Sequence, residues 1–420
     1  MATNLVRRNA LGLAEEILND TPVLSVSGAR QVGKSTLVAM LLKDRPSKLV
    51  NLDVSNALSS AKADPDGFVR QFPDGTLAID EIQRAPELFR ALKGALEEDR
   101  RPGRFVITGS SNLLNLKGAE ESLAGRAETL HLRGLSRGER AQRREDFARF
   151  VWNLQDSEVP DISYIEDVSR GEYLEMLTRV SFPEVADATE RRRDRWVDAY
   201  VERVLTKDAS ALFGVQYPDR LSALTRTLAA MGTSEFVAAK FANRLDVPAR
   251  SLPGYLDALR SVFLIDALPA WGTNLGKRAI SKPKVFLSDP GVAASLTGVD
   301  APSLEDQIAS VFTGGLLESF VATELLKQHT WSDVSFRLFH FRTSTGKEVD
   351  LVLENRRREI VGIEVKASTS IGARDFNGLK ALKDIAAEKF HAGIVLYTGR
   401  DVLPMGERLW AMPISTLWNV

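Results

Sequence analysis

The sequence predicts an α/β chain built in several domains, and three stretches carry that prediction. Val23 to Met40, VLSVSGARQVGKSTLVAM, passes from a β-branched strand through a glycine-bounded loop into a helical pattern. Gly75-Thr-Leu-Ala-Ile-Asp80-Glu81 is a short apolar strand that ends on two acids. From Phe336 onward strands and helices alternate again, with carboxylates and a lysine at strand positions two apart. Strand-length apolar runs separated by helical periodicity mark sheets wrapped by helices. The expected boundaries are 1–140 for a first α/β domain and 141–215 for a helical lid or linker. A winged-helix-like module comes next at 216–302, and a second α/β domain at 303–420.

Composition narrows the class. The chain has 420 residues, of which 44 % are apolar and 26 % charged, which is ordinary for a soluble protein with an ample core. Its net charge of −1 argues neither for nor against nucleic acid, because a basic groove can be balanced by acids elsewhere. With no cysteine, disulfides and thiolate metal sites are excluded. The opening MATNLVRRNALGLAEEILND lacks a long apolar core and reads as an amphipathic helix, so no signal peptide is expected. No apolar run approaches the length that spans a bilayer. The expectation is a cytoplasmic protein with no membrane partner.

The first stretch holds the complete pattern G-x-x-x-x-G-K-[ST], between the strand and helix that such a loop requires. Gly28, Ala29, Arg30, Gln31, Val32 and Gly33 can turn backbone N–H groups onto phosphate oxygens. The helix that begins near Lys34, Ser35 and Thr36 offers its positive end to the same anion. Lys34 reaches the β- and γ-phosphates, and the Ser35 hydroxyl holds Mg²⁺. Asp80 orients the Mg²⁺ shell and Glu81 polarises the attacking water as a general base.

Between these landmarks Lys48 to Asp53 reads as a strand, Pro65 to Phe72 as a short helix and Ala85 to Asp99 as a strongly patterned helix. Arg104-Phe-Val-Ile-Thr-Gly-Ser110-Ser-Asn112 is a further strand with a polar end. Ser110, Ser111 and Asn112 either touch the γ-phosphate or the attacking water, or cap the next helix. Arg126 precedes a strand, and is either a surface charge or a finger reaching a neighbouring subunit's γ-phosphate.

GARQVGKST, AIDEIQR, ITGSSN, SLAGRAETL and Leu135-Ser136, in this order, resemble the bacterial and archaeal AAA-type ATPases that carry a poorly characterised C-terminal region. The resemblance covers the first third of the chain. It implies ATP rather than GTP, with Mg²⁺, and active sites between the subunits of a homo-oligomeric ring, for instance a hexamer. It also implies that Arg126 is the finger.

The middle is less informative. The Arg137–Arg149 and Arg191–Arg195 runs read as solvated helix faces. Glu235 to Leu245 reads as a helix, Asp246 to Ser251 as a turn, Leu252 to Arg260 as a second helix and Phe263 to Trp271 as a strand. This is the winged-helix order, whose second helix either enters a DNA major groove, here with Arg250 and Arg260, or only packs. Lys277, Arg278, Lys282 and Lys284 form a basic stretch before the strand Val285 to Asp289.

In the last domain, Gly315 to Leu326 is a helix carrying Glu318, and Glu348-Val-Asp350 heads a strand. Glu364-Val-Lys366 ends another strand, whose alternation puts both charges on one face. Ala392 to Tyr397 reads as the final strand. Asp350, Glu364 and Glu318 together make a hard-cation site, with Lys366 beside it to steady an activated water or a departing charge. The order E…EVD…EVK resembles the restriction-endonuclease and Holliday-junction-resolvase fold over the last quarter of the chain. That resemblance implies a Mg²⁺-dependent nuclease acting through Asp350, Glu364 and Lys366.

The combined expectation is an AAA-type ATPase coupled to DNA and to metal-dependent phosphodiester cleavage. Two rivals remain open: a DNA-binding switch that hydrolyses ATP but cleaves nothing, and an ATPase that acts on a protein partner.

Overall fold

The computed structural model describes residues 5–110, 119–155, 160, 162, 165–209, 218–306 and 310–420. It divides into two compact units, Met1–Leu135 with Ser261–Phe263, and Ser136–Arg260 with Leu264–Val420.

The first unit is a five-stranded sheet in which every pairing is parallel. Its strands are β1 (Val23–Ser27), β2 (Ser47–Asn51), β3 (Thr76–Asp80), β4 (Phe105–Gly109) and β5 (Ala127–His131), in the order β2-β3-β4-β1-β5. β1, β3 and β4 are buried along their whole length, which explains their continuous apolar composition. The helix Leu88–Glu98 buries Leu88, Phe89, Ala91, Leu92, Ala95 and Leu96 in a core that includes Leu77, Ile79, Phe105 and Ile107. That spacing is one helical stripe. The helix starts three residues later than expected, because a short 3₁₀ turn, Ile82–Arg84, and Pro86 separate it from β3. Strand order matters for function. Because the strands are parallel, the segments leaving β1, β3 and β4 emerge at one edge of the sheet.

The second unit holds two sheets. A six-stranded sheet runs β13-β14-β12-β11-β10-β9, from β9 (Phe336–Arg342), β10 (Glu348–Asn355), β11 (Ile360–Lys366), β12 (Phe390–Tyr397), β13 (Leu403–Pro404) and β14 (Leu409–Pro413). β9, β10 and β11 are antiparallel neighbours, whereas β11, β12 and β14 run parallel. β12 is therefore not the last strand. Leu409-Trp-Ala-Met-Pro413 ends on a proline, which argues against a strand in its own pattern. The smaller antiparallel sheet has the order β6-β8-β7, from β6 (Ser234–Glu235), β7 (Ile265–Leu268) and β8 (Lys284–Leu287). Two helices, Ala238–Leu245 and Leu252–Ser261, lie between β6 and β7 in sequence. Glu235 is a strand residue opposite Lys284 rather than the start of a helix, because pairing with β8 claims its backbone.

Candidate functional site

The loop 28–33 joins β1 to the helix Lys34–Leu41. A Cβ on Gly28 would stand 2.2 Å from the Leu132 carbonyl oxygen, so only glycine lets the loop leave the sheet this close to the chain beyond β5. Gly33 closes the loop at φ +96°, and Gln31 also takes a left-handed φ of 63°. Lys34 is buried, and its ammonium donates to the carbonyl oxygens of Gly28 at 3.0 Å and Ala29 at 2.9 Å. Ala29 and Val32 are buried, Arg30 is half-buried, and Gln31, Ser35 and Thr36 are exposed. Arg8, which no sequence motif marks, donates to Val32 O at 2.9 Å and Arg133 O at 2.7 Å. It braces the loop against the chain beyond β5.

The acids that end β3 stand at the same edge. Asp80 is buried and accepts from the Ser35 hydroxyl at 2.8 Å and from Thr108 of β4. Ser35 and Asp80 are thus paired as a Mg²⁺ site needs them, and the loop, lysine, hydroxyl and carboxylate together fit a magnesium nucleotide. Glu81 sits at φ 60°, ψ 44°, a left-handed conformation that costs a non-glycine residue about 1–3 kcal/mol. Its N–H donates to Thr108 Oγ1 at 3.2 Å, which helps hold that turn. The Gln83 side-chain amide donates to Glu81 Oε2 and, at 3.1 Å, to Ser110 Oγ. Ser110 is buried and donates in turn to Glu81 Oε2 at 3.3 Å. Gln83 was missed in the sequence; its only signal was its place two residues after the acid. Ser111 and Asn112 lie outside the described residues.

Arg126 is half-buried, and its side chain donates to Ala124 O at 3.4 Å. Its carbonyl accepts from Val23 N–H, at the opening end of β1. The phosphate loop leaves the other end of that strand, roughly 16 Å away at about 3.3 Å per residue. The structure does not bring Arg126 to its own chain's phosphate loop.

In the second unit, four predicted residues do come together. β10 and β11 pair with Leu351 opposite Ile363, which sets Asp350 beside Glu364. Asp350 Oδ2 accepts from the Val365 N–H at 2.9 Å, and Lys366 Nζ donates to Glu364 Oε1 at 2.7 Å. The helix Ser310–Gln328 contributes buried Glu318. The unforeseen member is Lys284 of β8. Its ammonium stands 2.6 Å from Glu318 Oε1, 2.6 Å from Glu348 Oε1 and 3.5 Å from Asp350 Oδ1, with a side chain only 4 % exposed. In the sequence Lys284 looked like one more charge in a basic stretch.

Charge explains how these groups behave. Four carboxyl groups, Glu318, Glu348, Asp350 and Glu364, face two ammonium groups, Lys284 and Lys366. Arg342 at the rim is shared between Glu348 and Glu235. Burial, with Asp350 nearby, pushes Glu364 up to about 8, and burial raises Glu318 well above the usual carboxylate range. Burial opposes the Lys284 charge, but Glu318, Asp350 and Glu348 outweigh it and hold the ammonium above its ordinary value. Glu364 Oε2 is buried with no hydrogen-bond partner. Carboxyl groups in this number would suit a divalent ion, but their arrangement does not. Among the described residues no three His, Cys, Asp or Glu side chains are placed to hold a metal, and the cation between Glu318, Glu348 and Asp350 is Lys284.

A parallel sheet in the order β2-β3-β4-β1-β5, a G-x-x-x-x-G-K-S loop after β1 and paired acids after β3 define a P-loop ATPase domain. Comparison with known proteins refines this: residues 20–141 match the family described as "AAA domain", so the amino-terminal unit carries an AAA-type P-loop ATPase domain. Residues 170–303 and 313–417 match two families described as domains of unknown function, DUF8612 and DUF4143. Two curated mycobacterial relatives, the uncharacterized proteins Mb2031c of Mycobacterium bovis and Rv2008c of Mycobacterium tuberculosis, are each 27 % identical over 416 residues. The match covers 98 % of this chain and 84 % of each relative. Among solved structures, the Walker-type ATPase PABY2304 of Pyrococcus abyssi is 15 % identical at a TM-score of 0.43, covering 70 % of this chain and 97 % of its own. AMPPCP-bound DnaA from Aquifex aeolicus is 11 % identical at 0.28, covering 60 % and 82 %. Among the described residues no helix is long and apolar enough to cross a membrane.

Proposed function

We propose that this chain is an ATP-hydrolysing switch that acts on DNA. The observation that carries the ATPase half is the single edge at which Lys34, Ser35, Asp80, Glu81 and Ser110 meet. Backbone N–H groups of residues 28–33 cradle the phosphates, and Lys34 exchanges its loop carbonyls for β- and γ-phosphate oxygens. Ser35 and Asp80 would hold Mg²⁺, which when bound neutralises phosphate charge. Glu81 takes the proton of the attacking water, positioned by Gln83 and Ser110. Arg126, distant from its own loop, serves the loop of the next subunit in a homo-oligomer, which is the reason to expect a ring such as a hexamer.

The DNA half is supported by the winged-helix order of β6, the two helices, β7 and β8. It is supported also by Lys240, Asn243, Arg244, Arg250 and Arg260, which are all exposed.

A second reading, favoured by the convergence of Asp350, Glu364, Lys366 and Glu318, adds DNA cleavage by a restriction-endonuclease-like domain. Under it Asp350 and Glu364 are the carboxylates that would hold Mg²⁺. The test is incubation of the purified protein with labelled single-stranded, duplex and branched DNA in Mg²⁺ or Mn²⁺, with and without ATP. Glu81→Gln should lower kcat for ATP by about 10²–10⁴-fold while nucleotide still binds. Cleavage lost in Asp350→Ala would establish the second reading. Salt-sensitive DNA binding without cleavage leaves the switch, and no DNA binding at low salt overturns the DNA half altogether.

A further inference from the structure

We propose that Thr108 is a positioning residue for ATP hydrolysis, whose one buried hydroxyl sets the Asp80 carboxylate and the Glu81 backbone together. Resting on the ATPase reading of the phosphate loop, this assignment goes beyond it by naming what aligns the two acids. Thr108 belongs to β4, the strand that separates β3 from β1. Ile79 of β3 stands opposite Ile107, so the acids that end β3 come level with Thr108. On its other side Thr108 stands opposite Val26 of β1, two residues before the phosphate loop opens at Gly28. Thr108 is only 1 % exposed there, which puts it out of a nucleotide's reach. It acts through its neighbours.

The hydrogen bonds fix which way the hydroxyl works. The Glu81 N–H donates to Thr108 Oγ1 at 3.2 Å, so the oxygen is an acceptor on that side. Its single proton goes to Asp80 Oδ1. The other oxygen of the same carboxylate, Oδ2, accepts from the Ser35 hydroxyl at 2.8 Å. Held at both oxygens, the Asp80 carboxylate cannot turn, and Oδ2 keeps its aim at the place where Asp80 and Ser35 would hold Mg²⁺. The same hydroxyl anchors the left-handed turn of Glu81, at φ 60°, and Ser110, two residues further along, donates to the Glu81 carboxylate at 3.3 Å. The metal-holding acid and the base are thus both set from the end of β4. Threonine suits the task, because its β-branch restricts χ1 and keeps the hydroxyl from turning away. Valine at this position keeps the shape and removes both bonds.

The test compares the unaltered full chain with Thr108→Val and Thr108→Ser. A fluorescent ADP analogue measures nucleotide affinity without metal, and the paramagnetic signal of free Mn²⁺ measures the metal affinity of the ADP-loaded protein. Thr108→Val should keep its metal-free ADP affinity within about two-fold, because the loop is untouched, while Mn²⁺ binds about 10–10²-fold more weakly. Its kcat for ATP at saturating metal should fall by about 10–10²-fold as well, since Glu81 loses its backbone anchor. Thr108→Ser keeps the hydroxyl and should recover Mn²⁺ affinity to within about three-fold of the unaltered chain. If Thr108→Val matches the unaltered chain in Mn²⁺ affinity and kcat, the hydroxyl positions neither acid and the proposal is wrong. It is equally wrong if Thr108→Ser is as weak as Thr108→Val, since packing of the methyl is then the cause. A loss of metal-free ADP affinity in Thr108→Val also overturns it, because the damage then reaches the loop. If the unaltered chain binds no nucleotide and hydrolyses no ATP, the ATPase reading itself fails and takes the proposal with it.

Discussion

Lys34 and Lys284 are both buried and both sit at the centre of a polar cluster, yet their partners are of opposite kinds. Lys34 donates to carbonyl oxygens of its own loop, neutral groups that phosphate oxygens can replace. Lys284 stands among three carboxylates contributed by a helix and a strand distant in sequence. The first arrangement is local and prepared for an anion. The second is assembled across elements and already charge-paired, so it resists exchange. A lysine's role is set by whether its partners are dipoles or charges, which its burial alone does not reveal.

Exchanging each lysine for methionine sharpens this contrast and has the largest expected effect. Lys284→Met strands three acids around a methyl group, and removing one partner of a buried ionic cluster costs about 3–5 kcal/mol. Lys34→Met leaves the Gly28 and Ala29 carbonyls short of a donor, at about 1–2 kcal/mol. Denaturant unfolding should separate the two variants by about 1–4 kcal/mol, while ATP hydrolysis reverses the order. Lys34→Met should lose about 10²-fold or more in kcat/KM, and Lys284→Met should keep ATPase activity near that of the parent. Equal stability losses would break the comparison.

The second unit also holds an acid that tests burial without any lysine. Glu145 is buried, and a Cβ on Gly138 would lie 1.9 Å from its Oε2, so the carboxyl is closely covered. Burial, helped by Glu324 and Glu139, raises it from an ordinary 4.5 to about 8, although Ser136 and its own backbone N–H pull the other way. The folded state therefore holds a proton that the unfolded chain has lost between those two values. Its contribution to stability is full below pH 4.5 and falls as pH rises toward about 8, by roughly 1.4 kcal/mol per unit at most. Glu145→Gln should flatten the loss of stability between about pH 5 and 8 by about one proton's worth, read from unfolding midpoints across that range. An unchanged slope would mean that the carboxyl is ionised where it lies.

How far each region was legible depends on the same distinction. The phosphate loop is a backbone device, so its residues are consecutive and Gly28, Lys34 and Ser35 could be read directly. Asp80 and Glu81 were legible because two acids end a short apolar strand that follows a complete phosphate loop. In the carboxy-terminal cluster, Asp350, Glu364 and Lys366 were legible because strand alternation is local. Lys284 was not, since its position depends on packing between two sheets that no periodicity encodes. Arg8 and Gln83 were missed for a related reason: arginine and glutamine are common surface residues, and only the fold shows what they bond. β14 was hidden by the proline that ends it.

The smallest expected effect concerns Gln83, and it bears on how a strained acid is kept useful. Glu81 holds a left-handed backbone, a conformation that aims its carboxylate but leaves the side chain free to rotate. The Gln83 amide and the Ser110 hydroxyl both donate to Glu81 Oε2, which fixes that rotation and leaves Oε1 for a water. Gln83→Leu keeps the acid, the loop and the neighbouring packing while removing one of the two donors. The expected result is a fall in kcat of about ten-fold or more, since a hydrogen bond to a carboxylate is worth roughly 1.5–3 kcal/mol and about 1.4 kcal/mol is ten-fold. KM and the Kd for nucleotide should stay within about two-fold, because Gln83 reaches none of the loop atoms that hold phosphate. A parallel rise in KM would place Gln83 in nucleotide binding instead. An unchanged kcat would mean that Ser110 and the backbone suffice to aim Glu81.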